Sequence, residues 1–211
     1  MKRVLLLLVL VLTLWPNSAA AQQETKIGPW AVDAHGSLPS LGPTAEVAAP
    51  YGLTKADLPS RGLGLDVAAH WYPVSRRAVT VGIGVGMHTS RGHQGPIETN
   101  GTVSGADTTV RFTALSPQIS FNFGSGKGWS YLSGGPGSST YAVTTSALAA
   151  ARKTRRKTIN FGCGARWFSR DHLAFSLDLR VYLINPQAAT DLVMQQPHMR
   201  LTVLSAGVSF K

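Results

Sequence analysis

Residues 172–185, HLAFSLDLRVYLIN, alternate apolar and polar side chains without a break. Successive side chains of a β-strand point to opposite faces, so this pattern predicts a strand with one wholly apolar face and one polar face. A helix with the same sequence would place Asp178 and Arg180 around an otherwise apolar surface. The fold must therefore provide an apolar medium for one face of this strand and partners for the two charges on the other.

The chain begins with a segment that is typical of a secretory signal peptide. Two basic residues precede an apolar run at residues 4–15, and Ala19 and Ala21 fit the A-x-A pattern of a cleavage site. The run is shorter than the stretch of about 20 apolar residues that a membrane-spanning helix needs. We therefore expect residues 1–21 to be a cleaved signal peptide and residues 22–211 to form one exported domain.

Composition narrows the classes of partner. Among the 211 residues, 14% are charged and the formal net charge is +10. For an exported basic chain we expect no nucleic acid as a partner, and we favour phosphorylated lipid headgroups or surface polyanions as ligands.

Cys163 is the only cysteine, so an intramolecular disulfide is excluded. His35, His70 and His93 lack the spacing of metal ligands, and we expect neither a metal nor a cofactor.

Seven further segments show period-two alternation, which brings the number of predicted strands to eight. In the fourth strand the phase of the alternation changes near Pro117, where we predict a β-bulge or a local distortion, and in the eighth it changes near Val203. The predicted strands span residues 27–38, 62–72, 78–88, 108–123, 129–136, 156–168, 172–185 and 198–211.

The connections between these strands alternate in length along the chain. Long connections are predicted at residues 39–60, 89–107, 137–155 and 186–197, and short turns at residues 73–77, 124–128 and 169–171. In an up-and-down barrel all long connections then lie at one end, which is typical of outer-membrane barrels with short periplasmic turns and long external loops. The sequence therefore predicts an all-β, eight-stranded antiparallel up-and-down transmembrane β-barrel.

The apolar faces of the strands are predicted to contact lipid. Strands of regular phase carry no charge on this face, whereas their opposite faces are rich in Gly, Ala, Ser and Thr, which suit a narrow, filled lumen. Large aromatic residues cluster where the strands meet the short turns, as expected at a membrane interface. A soluble periplasmic ligand-binding barrel, with its apolar face inward, is the alternative. The predicted aromatic girdle consists of Trp30, Trp71, Phe121, Phe123, Trp129, Tyr131, Trp167 and Phe210.

Charged residues on the polar faces are expected to pair with one another inside the lumen, because an unpaired charge in a low-dielectric interior is costly. We interpret them as ion pairs that fill the barrel, with a proton or ion pathway as the alternative. The predicted lumen network consists of Asp33, Asp66, Asp178, Arg180, Arg111 and Arg166.

Two motifs offer chemistry at the predicted external end. His88 and Ser90 lie two residues apart on one strand face, so a His–Ser dyad can form. The spacing is similar to that of some outer-membrane lipid A deacylases, which implies a hydrolase as an alternative function. Because no acidic partner is visible in the sequence, we predict no enzymatic activity.

A basic run at the external rim is predicted either to be solvated or to pair with lipopolysaccharide phosphates. This rim consists of Arg152, Lys153, Arg155, Arg156 and Lys157.

In its architecture the chain resembles the eight-stranded outer-membrane barrels of Gram-negative bacteria, of the OmpA-like transmembrane-domain and OmpX-like type. The resemblance covers about residues 27–211 and includes a final alternating strand with an aromatic residue near its end. It implies a monomeric, non-enzymatic barrel in the outer membrane, surrounded by lipids and lipopolysaccharide, whose last strand is read by the barrel-assembly machinery. That strand presents Leu204, Ala206, Val208 and Phe210.

Overall fold

Eight long antiparallel strands close into a barrel in the computed structural model, which describes residues 27–76, 78–99, 102–146, 152–189 and 195–211. The predicted signal peptide at residues 1–21 lies outside these ranges. The strands are β1 (Trp30–Ser40), β2 (Leu63–Ser75), β3 (Thr80–Gln94), β4 (Ile97–Thr99), β5 (Thr102–Ser104), β6 (Thr108–Ser125), β7 (Gly128–Thr145), β8 (Arg152–Phe168), β9 (Leu173–Ile184) and β10 (Met199–Phe210).

The barrel closes between its first and last strands. Around the wall the order is β1, β10, β9, β8, β7, β6, β3 and β2, every pair of neighbours is antiparallel, and β1 pairs with both β10 and β2. The short strands β4 and β5 form a separate hairpin. This topology confirms the predicted fold class, an all-β antiparallel barrel of eight strands.

The two ends of the barrel differ in their connections. At one end, called here the turn end, short turns join β2 to β3, β6 to β7 and β8 to β9. At the other, the loop end, residues 41–62 join β1 to β2, and the β4–β5 hairpin lies between β3 and β6. The predicted long connections at residues 39–60 and 89–107 therefore lie at the same end.

The prediction of a long loop at residues 137–155 is wrong over most of its length. β7 continues to Thr145 and β8 begins at Arg152, and the two strands pair up to Val143 and Arg152. Outward positions here carry polar or basic side chains, so the sequence lacks the apolar alternation that predicts a strand. The alanine-rich part of the predicted loop, residues 147–151, lies outside the described residues.

Burial alternates along the barrel strands. In β9, Leu177 and Leu179 are exposed on the outer face, whereas Asp178 and Arg180 are buried in the lumen. The other strands repeat this arrangement, and their large apolar side chains form a continuous band around the outside. The barrel therefore has an apolar band around its exterior, and its interior contains the ion pairs Asp33–Arg166 and Asp178–Arg180.

β6 and β10 keep a single phase, so the predicted phase changes and the bulge near Pro117 are wrong. The irregularity near Pro117 is a gap in the pairing of β6 with β7 between Leu115 and Ile119, with the same register on both sides. Pairing of β6 with β3 runs without a shift, as does pairing of β10 with β9. Val110, Phe112 and Leu201 face inward on the same side as the polar residues further along their strands. The residues that line the lumen change from polar to apolar near the loop end. In the sequence, apolar residues at inward positions look the same as a change in the phase of the alternation.

Residues 41–58 fold into the loop end of the barrel and are called here the plug. The plug contains a helical turn, α1 (Ala45–Ala48), and two 3-10 turns, Ala49–Tyr51 and Lys55–Asp57. Over the described residues, no helix is long and apolar enough to cross a membrane. The plug buries Leu41, Val47, Ala48, Tyr51 and Leu58 against Val110, Phe112, Ala114, Tyr141, Val143, Tyr182, Ile184, Met199, Leu201 and Val203 of the barrel wall.

Candidate functional site

A bidentate ion pair occupies the lumen near the turn end. Arg166 donates from Nε to Asp33 Oδ1 at 2.8 Å and from Nη2 to Asp33 Oδ2 at 2.6 Å, and Ser209 Oγ also donates to this carboxylate. The Arg166 side chain is 1% exposed and lies 4.1 Å from the centroid of the Tyr131 ring. The two parallel hydrogen bonds fix the orientation of both side chains, and they are strong because both partners are charged and buried.

A second ion pair lies further along the lumen and joins three strands. Tyr131 Oη donates to Asp178 Oδ2 at 2.8 Å, and Arg180 Nη2 donates to the same oxygen at 3.2 Å. Arg180 also donates to Asn160 Oδ1 at 2.6 Å and to Ser133 Oγ at 2.8 Å. The mid-strand charges of residues 172–185 therefore have their partners inside the barrel, on β7 and β8 as well as on β9.

A third cluster has the arrangement of a Ser-His-Asp triad. His88 Nδ1 lies 2.9 Å from Asp66 Oδ1, and His88 Nε2 lies 3.0 Å from Ser90 Oγ. Ser205 Oγ donates to the other carboxylate oxygen of Asp66 at 2.7 Å. The sequence shows no acidic partner for His88, but the register of β2 and β3 places Asp66 directly opposite it. Cross-strand pairing is a property of the fold, so spacing along one strand does not reveal it.

Two members of the triad, His88 and Ser90, are closed to solvent in this structure, and the Asp66 side chain is 17% exposed. His88 is 0% exposed and Ser90 is 4% exposed, and the rings of Phe112 and Tyr182 lie 5.7 and 5.6 Å from the imidazole. The interior cavity that Asp66 lines has a volume of about 20 Å³, which is room for one water molecule rather than for a substrate.

The plug that covers this region is held by its own hydrogen bonds. Asp57 accepts from Thr54 N at 2.8 Å, Thr54 Oγ1 at 2.7 Å and Ala106 N at 3.1 Å, which ties the plug to the segment before β6. These bonds, with Thr54 the largest contributor, hold the pKa of Asp57 below its ordinary value. Tyr51 Oη donates to Gln196 Oε1 at 3.4 Å and so links the plug to the segment before β10.

The turn end carries the outward aromatic residues, but two members of the predicted girdle lie inside. Trp129 and Tyr131 are each 3% exposed and face the lumen, so their assignment to the girdle is wrong. Leu132 is the outward residue beside them, and the Gly and Ser residues of β7 obscure this phase in the sequence. The girdle members that face outward are Trp30, Trp71, Phe121, Phe123, Trp167 and Phe210.

Trp129 instead closes the lumen at the turn end. Its ring stacks on Phe168 with centroids 4.9 Å apart, and Lys211 Nζ lies 4.0 Å from the centroid of the Phe168 ring. Arg166 lies on the inner side of Trp129, 5.5 Å from its centroid. The lumen is therefore capped by aromatic and cationic groups at one end and by the apolar plug at the other.

The predicted basic rim is a strand rather than a loop, and its side chains divide between the two faces of the wall. Arg156 points inward and donates to Pro197 O at 2.6 Å and Asn185 O at 3.4 Å. Lys153, Arg155 and Lys157 are exposed on the outer face. The side chain of Arg152 lies outside the described residues.

Arg111 is also on the outer face, so its assignment to the lumen network is wrong. In β6 the inward positions are even-numbered from Thr108 to Asn122, which directs Arg111 outward. It lies directly opposite Arg91 of β3. The group called here the basic belt consists of Arg91, Arg111, Lys153, Arg155 and Lys157.

The belt spans β3 to β8 without acidic partners. On β7, Ala142 lies between Arg111 and Lys153, which places the first three basic positions in one row around the wall. In the part of the chain that the structure describes, no ion pair involves a belt residue, and no Asp or Glu faces outward from the eight barrel strands. The belt is therefore a concentrated and uncompensated positive surface.

These features define a class: a closed eight-stranded antiparallel barrel with an apolar outer wall. The chain is similar in fold to Neisserial surface protein A, with a TM-score of 0.52 and 11% identity over 87% of this chain and 97% of that one. It also aligns with Ail of Yersinia pestis in complex with the heparin analogue sucrose octasulfate (TM-score 0.46, 12% identity, 86% and 95% of the two chains). Outer membrane protein AlkL gives a TM-score of 0.39 and 13% identity over 93% and 96%.

These likenesses concern the fold. Among the three, only that to Neisserial surface protein A has a TM-score above 0.5. No protein-family model and no curated protein sequence matches the chain. The fold is therefore that of the outer-membrane eight-stranded barrels, and the role of the protein has to be argued from its own surfaces.

Proposed function

We propose that the protein is an integral outer-membrane β-barrel of a Gram-negative bacterium without enzymatic activity, and that it contacts lipids and anionic molecules through its outer wall. The observation that carries this proposal is the exposed apolar band, in which Leu63 is 72% exposed and Ile119 54%, while the ion pairs Asp33–Arg166 and Asp178–Arg180 are buried inside. A soluble monomer rarely exposes a continuous apolar surface larger than a few hundred Å². A soluble periplasmic binding barrel would have the opposite arrangement.

The dimensions of the band support a membrane-spanning role. From Lys157 to Trp167, β8 covers ~33 Å of strand. At a strand tilt of about 40° this corresponds to a height of ~25 Å, which matches the apolar band of outer-membrane barrels. The girdle and the basic belt then lie near the two interfaces of the bilayer.

The interior supports a surface role rather than conduction. The ion pairs Asp33–Arg166 and Asp178–Arg180 occupy the lumen, and the plug fills its loop end. Contacts with other molecules are then made by the wall and the loop end, where the basic belt suits lipopolysaccharide phosphates or other anions. A closed wall leaves no sheet edge for pairing, which favours a monomer. Phe210 and the outward residues before it are the proposed contact with the barrel-assembly machinery.

Fractionation tests the proposal. Expressed in a Gram-negative host, the chain is expected in the outer-membrane fraction and in detergent extracts of it. On gels it is expected to migrate differently before and after boiling, because a closed barrel resists unfolding by the detergent. Recovery in the periplasmic fluid without detergent would contradict the membrane assignment.

A second candidate function, a lipid A deacylase-type hydrolase, is favoured by one observation, the completed triad of Asp66, His88 and Ser90. In such an enzyme Ser90 Oγ would attack an ester carbonyl while His88 accepts its proton. The ester C–O bond would then break, His88 would give the proton to the departing sugar hydroxyl, and water would hydrolyse the acyl group from Ser90. The buried position of Ser90, and the small size of the cavity that Asp66 lines, oppose this function in the closed structure.

Lipid A from cells that express the chain separates the two functions. We expect its acylation, measured by mass spectrometry, to be the same with the unchanged chain, with Ser90→Ala and with an empty vector. Ser205→Ala is the matched control, because it removes the other hydroxyl that contacts the triad. Loss of an acyl chain that requires Ser90 but not Ser205 would establish the hydrolase and overturn the non-enzymatic assignment.

A further inference from the structure

The outer wall over β3, β6, β7 and β8 changes chemistry in steps from the loop end toward the middle of the barrel. The first row contains Arg91, Arg111 and Lys153. The next row pairs Thr89, Thr113 and Thr140 across the strands and ends with Arg155. The third begins with Met87 and Leu115 and ends with Ser138 and Lys157, and beyond it the outward positions are apolar.

The pair Arg91 and Arg111 is unfavourable unless an anion lies between the side chains. Like charges directly opposite each other on neighbouring strands destabilise a sheet. Here no acidic side chain among the described residues offsets them. Guanidinium groups bind phosphate with two parallel hydrogen bonds, so a phosphate at this row would convert the repulsion into binding.

An apolar groove begins below the belt on the same wall. Gly134 faces outward between Ile119 and Phe161, and the absence of a side chain at this position makes a depression in the wall. The groove has a volume of about 680 Å³, and Phe121, Leu132 and Cys163 also line it. From Lys157 to Phe161 is ~13 Å along β8, so the groove lies within reach of a lipid whose headgroup contacts the belt.

We propose that this wall is a binding site for a phosphorylated, acylated saccharide lipid of the lipid A type. The phosphates bind the basic belt, the saccharide hydroxyls face the threonine row, and one acyl chain lies in the groove at Gly134. The proposal rests on the function proposed above, since it requires the wall to lie in a membrane. It deepens that function by selecting one ligand: a soluble polyanion would use the belt and leave the groove empty.

The wall formed by β10, β1 and β2 lacks both parts of the site, whereas β9 borders the groove through Leu179 and Val181. Along their outward strand positions, β10, β1 and β2 present Arg200 as their one cation within the described residues, opposite Leu183 of β9. Arg200 therefore provides a control, because it is an exposed arginine on the same barrel that belongs neither to the belt nor to the lining of the groove.

Native mass spectrometry of the full mature chain in detergent micelles tests the site with three probes. The probes are bisphosphorylated lipid A, the same lipid after removal of its phosphates, and the deacylated phosphorylated disaccharide. We expect one lipid A to bind preferentially, and the double change Arg91→Gln with Arg111→Gln to weaken its binding by about tenfold or more. Arg200→Gln is expected to have no effect.

A substitution in the groove separates the acyl contact from the charge contact. Cys163→Phe fills the groove without changing a charge, so we expect it to weaken the binding of lipid A several-fold and leave that of the deacylated disaccharide unchanged. Equal binding of the acylated and deacylated probes, or equal losses in the belt and Arg200 variants, would overturn the inference. In a chain that still fractionates with the outer membrane, such a result leaves the proposed function intact, whereas recovery in the periplasm overturns both.

Discussion

Arg166→Ala is expected to destabilise the barrel by about 3–5 kcal/mol, because it leaves the buried Asp33 carboxylate without its partner. Arg166 is 1% exposed and supplies two hydrogen bonds to Asp33. The interior cavity that Asp33 lines has room for about one water molecule, which cannot replace both bonds. The change also removes the cation that lies against Tyr131 and Trp129, so packing at the turn end is lost as well.

Urea unfolding of the chain refolded into lipid vesicles, followed by the boiling-dependent gel shift, measures this loss. Arg200→Ala is the matched control: an exposed arginine of the outer wall should change the stability by no more than about 0.5 kcal/mol. The double variant Asp33→Leu with Arg166→Met should recover much of the loss, since replacing both partners leaves no unpaired charge. Equal stability of the Arg166 and Arg200 variants would show that the Asp33–Arg166 ion pair does not stabilise the barrel.

Leu179→Arg is expected to cost about 2–4 kcal/mol in the membrane, the cost of an outward arginine near the middle of a transmembrane barrel wall. Leu179 is 45% exposed and pairs with Cys163 and Leu204, whose level lies between the girdle and the basic belt. Both neighbours are uncharged, so the new guanidinium would have no partner on the wall.

In cells the expected result is failure of Leu179→Arg to reach the outer membrane in its boiling-sensitive form. Leu179→Met keeps an apolar side chain of similar volume at the same place and should assemble as the unchanged chain does. Normal assembly of the arginine variant would contradict the lipid-facing assignment of this wall.

The main features of the fold follow from local pattern. Alternation in residues 172–185 and in the other strands requires one face in an apolar medium, and the order of long and short connections requires an up-and-down barrel. Alternation is misleading where the lumen itself is apolar. Val110 and Phe112 occupy inward positions of β6 but are apolar, because they face the plug. The same apolar stretch explains why the prediction that Arg111 faces the lumen is wrong.

The candidate sites depend on neighbours that are distant in sequence. Asp66 reaches His88 through the register of β2 and β3, and the basic belt exists because Arg91 and Arg111 meet across β3 and β6. Neither pairing has a signal in spacing along the chain. The positions of Trp129 and Tyr131 cannot be predicted in this way either. That a residue is aromatic and lies near a turn does not determine which face of the strand it occupies.

The position of the plug in the chain has a consequence for the order of folding. The plug lies between β1 and β2, near the start, but the wall that receives it comes from β6, β7, β9 and β10. Such distant contacts form late, because the intervening chain must first be ordered. The plug therefore cannot bury its apolar side chains until β10 has joined the wall. We expect the plug to become resistant to protease only when the whole barrel has assembled.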